Sequence, residues 1–204
     1  YPAWKGQVAY TTPSMNGLQG TIGVTNPNQG TAAVSQDRLG VEAEVVYTFA
    51  AGKVWVSGAS YEVTTATTDY DATAIDIGVN FNVGNLGLTA YYYDADGAGT
   101  TLFHLNGANG NNERESDGGY VQATYVIPTG TKLGVSYGIS NLDLASNEAA
   151  SALVEENKRW TVGAYHPLTK HLNLVAEYNN MESESHNNLS NDADSISLGA
   201  ILFF

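Results

Sequence analysis

Over most of its length the chain alternates apolar and polar positions, the period of two that marks a strand with one apolar side. With Gly, Pro, Asn and Asp taken as boundaries, the pattern predicts eleven strands: 5–12, 18–26, 38–49, 53–63, 72–83, 86–94, 119–127, 132–140, 158–166, 172–180 and 195–204. One helical candidate interrupts them, the Glu- and Ala-rich stretch 144–157 (LASNEAASALVEEN), expected as a short loop helix. The predicted fold class is all-β. Strands of roughly ten residues match a tilted membrane crossing and exceed the soluble norm of about five or six.

The connections alternate in length. Short ones fall at 13–17, 50–52, 84–85, 128–131 and 167–171, and long ones at 27–37, 64–71, 95–118, 141–157 and 181–194. In an antiparallel meander this gathers the tight turns at one end and the long loops at the other, the asymmetry of an outer-membrane barrel with periplasmic turns and outside loops. A soluble sandwich has no physical reason for it.

The apolar register supports a lipid-facing side. It runs through Val8, Leu39, Val41, Val45, Ile75, Ile77, Val79, Leu88, Val121, Leu133, Val135, Val162, Leu172 and Leu174. Aromatics expected in that register cluster at two levels, as interfacial rings do. Tyr10, Tyr47, Phe49, Trp55, Phe81, Tyr125 and Phe204 sit toward the short turns, and Tyr61, Tyr92, Tyr137, Trp160 and Tyr178 toward the long loops. The bland alternative is that aromatics are strand formers wherever they fall.

Composition narrows the field. The 204 residues carry 21 Asp and Glu against 8 Lys and Arg, a net charge of −13 that argues against a nucleic-acid partner. With no cysteine there is no disulfide framework and no thiol chemistry. No apolar run reaches the roughly 18 residues a membrane-crossing helix needs, but a barrel buries only alternate residues and keeps its mean hydropathy low. The mean hydropathy is −0.19.

The stretches KGQVAYTTPSMNGLQGTIGV and RWTVGAYHPLTKHLNLVAEYN, with the closing SLGAILFF that ends on Phe204, resemble the strand–turn–strand units and C-terminal signature of Gram-negative general porins. The resemblance covers nearly the whole chain. It implies a transmembrane antiparallel up-and-down β-barrel of the bacterial outer membrane, passing small hydrophilic solutes and ions by passive diffusion. It further implies a homotrimer of sixteen-stranded barrels in contact with outer-membrane lipid and lipopolysaccharide. Single-chain bacterial barrels have an even strand count, so eleven strands are expected to be the C-terminal part of one porin domain spanning 1–204, with N-terminal strands lying upstream. Tyr1–Trp4 then reads as the exit from a constriction loop.

Residues opposite the apolar register should line the pore. The charged candidates are Lys5, Arg38, Glu42, Glu44, Asp76, Lys132, Arg159 and Glu177, among many hydroxyl and amide side chains. Four carboxylates against four cations set up a transverse field, or pair locally and hold the wall. Most of the remaining acidity falls at or beyond the ends of the predicted strands, at Asp69 and Asp71, Asp94 and Asp96, Glu113 to Asp117, Glu155 and Glu156, Glu182 and Glu184, and Asp192 and Asp194. An acidic mouth predicts weak cation preference at low salt.

Other chemistry has thin support. No HExxH, GxSxG or P-loop pattern occurs, no metal or cofactor is expected, and no enzymatic activity. A rim hydrolase built on His186, Asp192 and Asp194 lacks a placeable partner. Trp4 and Phe103 are candidate sugar-stacking aromatics. Two further readings stay open: a plugged barrel that binds a partner or scaffold, and a soluble all-β protein.

Overall fold

The computed structural model describes residues 6–26, 38–100, 106–146 and 148–204. The strands are β1 (Gln7–Thr11), β2 (Leu18–Thr25), β3 (Gly40–Phe49), β4 (Gly52–Thr64), β5 (Asp69–Val83), β6 (Leu86–Asp96), β7 (Ala108–Asn109), β8 (Asn112–Glu113), β9 (Glu115–Val126), β10 (Lys132–Leu142), β11 (Val154–Pro167), β12 (Leu172–Ser185) and β13 (Ser190–Leu202). Eleven of them form one sheet in chain order, every neighbour antiparallel, with β1 and β13 as its edges. This is the up-and-down wall of a barrel, and all eleven predicted strands are in it. The small β7–β8 hairpin, which the period-two pattern missed, stands apart inside the β6–β9 connection.

Local chemistry sets the tight turns. At the β1–β2 turn, Asn16 and Gly17 both take positive φ (52° and 87°) between Met15 and Leu18, the Asn-Gly solution for a two-residue hairpin. A side chain on Gly17 would also collide with the Thr48 carbonyl, so the turn packs against β3 only because that residue is glycine.

The wall is inside out compared with a soluble sheet. Val8, Ile75, Val121, Ile196 and Leu198 are exposed by 57–80%. Burial is concentrated instead at the end opposite the tight turns, around Tyr61, Val63, Ala72, Ala95, Leu142 and Ala145.

That end differs from expectation in three ways. Two of the expected long loops are short, because β4–β5 and β12–β13 continue as hairpins and leave only 65–68 and 186–189 as connections. The acidic residues at 69–71, 94–96, 155–156, 182–184 and 192–194 consequently lie on strand ends, not in loops. Polarity there marks where the strands leave the apolar band, not where they stop. The third correction concerns 144–157, which holds no helix among its described residues; β11 begins at Val154. Tertiary contacts override the local helical preference. The Glu148 carboxylate binds the Arg114 guanidinium through two bonds, at 2.8 and 2.6 Å, and accepts the Ala145 backbone N–H at 3.0 Å. Arg114 also donates to the carbonyls of Asn106 and Ala108, at 2.9 and 2.8 Å, which ties the β7–β8 hairpin to the segment carrying Glu148.

Candidate functional site

Directly opposed residues in an antiparallel sheet share a face, so the register assigns every side chain. Val45 pairs with Val56, Val56 with Ile77, Ile77 with Tyr92, Val121 with Tyr137, Tyr137 with Trp160, Val162 with Tyr178 and Tyr178 with Ile196. This is one continuous outward apolar face. Its rings gather at two levels: Tyr47, Phe49 and Phe81 contact one another near the turns, while Trp160 lies 5.1 Å from Tyr178 toward the other end. Two expected members are absent from this face. Trp55 pairs with Val46 and Gly78, and Tyr61 with Ala72, so both point inward. The VWV run around Trp55 is apolar at every position and hides the alternation.

The inner face carries a continuous polar row from β4 to β12. It runs Lys53, Asn80, Thr89, Gln122, Ser136, Thr161 and Asn179. Its members bond laterally, Asn80 Nδ2 donating to Thr89 Oγ1 at 3.0 Å and Thr161 Oγ1 to Asn179 Oδ1 at 2.7 Å. Its members from Asn80 to Thr161, with Asn82, Thr124 and Lys132, border a recess of about 530 Å³.

The predicted charges occupy this face unevenly. Glu42 and Glu44 on β3 and Asp76 on β5 border one recess of about 300 Å³. Gln7 Nε2 donates to Glu42 at 2.7 Å, Tyr61 donates to the other Glu42 oxygen, and Ser57 Oγ donates to Asp76. Lys132 and Arg159 stand on β10 and β11 instead, with Arg159 donating to Asn179 at 2.6 Å and Glu177 accepting from Tyr165 at 2.6 Å. Three carboxylates thus gather on β3–β5, while Glu177 on β12 shares the other sector with Lys132 and Arg159. Arg38, two residues before β3, meets Asp71 at 2.5 Å and the Tyr61 carbonyl at 3.1 Å. Lys5, Trp4 and Phe103 lie outside the described residues. Sequence reasoning missed the inward cation Lys53, whose Nζ is 5.2 Å from the Trp55 ring centre, and the inward rings of Tyr91, Tyr93, Tyr120 and Tyr165.

The acidic strand ends set like charges directly opposite one another: Asp94 faces Asp117, Asp96 faces Glu115, Glu62 faces Asp71 and Glu182 faces Asp192. Opposed like charges destabilise a sheet, and salt screens exposed ones. Raising ionic strength is expected to raise the melting temperature of the detergent-folded protein. A melting profile indifferent to salt would contradict a net repulsive rim.

Among the described residues, His186 and Asp194 of the predicted rim set have separate partners. His186 Nδ1 lies 3.7 Å from Glu155, while Asp194 accepts from Tyr178 and Asn180 at 2.7 and 3.0 Å. Among the described residues no three His, Asp or Glu side chains converge on a metal position.

An apolar outward face with two aromatic levels, backed by a polar inner face, is the pattern of a membrane-crossing barrel wall. A family model described as Gram-negative porin matches residues 2–186. The chain belongs to the Gram-negative porin family. No curated protein sequence matches it. Solved porin-like structures do. The outer membrane channel DcaP of Acinetobacter baumannii superposes with a TM-score of 0.82 at 17% identity, over 97% of this chain and 62% of that one. The anion-selective porin from Comamonas acidovorans gives 0.73 at 12% identity, over 97% and 59%, and OmpT of Vibrio cholerae 0.69 at 18%, over 97% and 64%. This porin chain therefore spans less than two thirds of the length of these neighbours. The family places it in the bacterial outer membrane.

Proposed function

We propose that the protein forms most of the wall of an outer-membrane channel through which small hydrophilic solutes and ions diffuse passively, with a weak preference for cations and no catalysis. The polar inner face carries this reading: a soluble barrel would pack apolar side chains where Asn80, Thr89, Gln122, Ser136 and Thr161 stand, and a plugged one would fill the lumen with a buried charged network, whereas these side chains are small or uncharged. Residues 1–204 are one porin domain whose remaining strands lie outside them, in keeping with the 62% of DcaP that the chain spans and with the single neighbour each of β1 and β13 has. Lipid cannot satisfy the free backbone groups of a sheet edge, so further strands must close the wall. Outer-membrane lipid and lipopolysaccharide are the proposed surroundings. A homotrimer is the proposed assembly, because one solved form of the OmpT neighbour is a trimer.

Lys132, Arg159, Glu42, Glu44, Asp76 and Glu177 are the proposed pore-lining charges, and Lys5 joins them by sequence register alone. The acidic sector on β3–β5 and the carboxylates at the strand ends raise the local cation concentration, which is the basis of the proposed preference. The native full-length protein in a planar bilayer under a salt gradient is expected to give stepwise ohmic openings and a weakly cation-selective reversal potential. Glu44→Gln with Asp76→Asn should move that potential toward anions. An anion-selective native channel, or a double variant with an unmoved potential, would overturn the preference. Silence from folded, inserted protein would overturn the channel.

A further inference from the structure

Simple diffusion asks only for a wet, polar wall, yet the middle of this wall carries a stripe of rings. Trp55, Gly78, Tyr91, Tyr120, Gly138 and Arg159 are successive cross-strand partners on the inner face. The Trp55 indole lies across Gly78, where any Cβ would overlap it. Tyr91 and Tyr120 follow at 5.6 Å between ring centres, with Tyr93 at 6.4 Å from Tyr91. Tyr120 is 40% exposed, so its ring is open to the lumen side. Gly138 then leaves a bare floor between that ring and Arg159. Beyond Trp55 and Gly78, the residues Tyr91, Tyr93, Tyr120, Gly138 and Arg159 border, with Ser140 and Met181, a recess of about 610 Å³, within the size range of small-ligand sites.

We infer that this recess binds a small aromatic carboxylate, its ring stacked on Tyr120 and Tyr91 and its carboxylate held by Arg159. The inference rests on the channel reading above. Flat rings on a tyrosine surface gain from offset stacking, and a guanidinium matches a carboxylate in plane and spacing as an ammonium does not. Asn179, which accepts one Arg159 N–H at 2.6 Å, fixes an edge of that guanidinium. Charge sets the ligand's direction. Asp76 pairs across the sheet with Tyr93 and repels an anion from the β5 side, while Arg159 attracts it toward β11. Glu182 and Asp192 also border the recess, but they are directly opposed in the register of Tyr178 and Ile196, so their carboxylates belong to the outward face.

The test is current block in the native full-length channel, with KCl as the carrier and benzoate or cyclohexanecarboxylate added at equal concentration. Benzoate is expected to reduce the current saturably, with cyclohexanecarboxylate about three- to tenfold weaker because it has the charge but no flat ring. Tyr120→Leu and Arg159→Gln should each weaken the benzoate block by a similar factor, and Tyr120→Phe should keep it; heat-modifiable migration on a gel checks that each variant folds. Equal block by the two acids, or block that never saturates, would overturn the site without any variant being needed. Benzoate block unmoved in folded Tyr120→Leu and Arg159→Gln would overturn the placement. A folded wild-type protein that passes no KCl current at all would overturn the channel reading itself.

Discussion

Glu148→Ala is expected to free the β7–β8 hairpin from the segment that follows β10. The Arg114 and Glu148 side chains are only 9% and 12% exposed, and removing one member of a buried ion pair leaves the other charge uncompensated, at a cost of about 3–5 kcal/mol. The cost falls on local opening, because the pair joins two connections and no wall strand. Protection of residues 106–114 against hydrogen exchange in the detergent-folded protein should collapse while the strands keep theirs. Unchanged protection of 106–114 would sink the idea. Acid should act as the substitution does. The Arg114 guanidinium and the Ala145 N–H hold the Glu148 carboxyl below its ordinary value. A carboxyl with a depressed folded pKa contributes fully above the unfolded value of about 4.3, and its contribution fades as pH falls through the lowered one. The tie is therefore intact at neutral pH and opens only in strong acid.

Val135→Arg should be far more costly than Ser136→Arg, one residue along the same strand. Val135 is 51% exposed on the outward face, with Ala123 and Val162 directly opposite, and lies between Leu133 and the ring of Tyr137. A charge at the centre of a lipid-facing band costs about 2–4 kcal/mol and one on a wet lumen little. Urea titrations of the full-length protein in lipid vesicles would resolve the difference. Equal losses at the two positions would mean that the faces are misassigned.

The wall was legible because lipid on one side and water on the other force a strict alternation, and strict alternation survives in one dimension. The inward rings were harder to see. Three consecutive tyrosines at 91–93 cannot all face lipid, and the even register of Leu86 and Leu88 gives that place to Tyr92, so the inward pair Tyr91 and Tyr93 was recoverable. Trp55 was not, since Val54 and Val56 are apolar as well. The extended strand ends were misread because acidic residues signal exposure, which a strand beyond the membrane shares with a loop. Arg114 gave no signal at all: its burial is made by Glu148, which is remote in sequence, and local composition around Glu148 favoured a helix.

Shared register across ten consecutive strand pairings also restricts how such a gene can change. Losing a single codon inside β10 would turn every residue beyond it on that strand to the other side, placing Val135 in water and Ser136 in lipid, or else would shift the strand against both neighbours. Codons lost or gained in pairs preserve the alternation, and changes within the connections leave it untouched. Length variation among descendants of this sequence should therefore accumulate in the connections and, inside the wall, come in even steps.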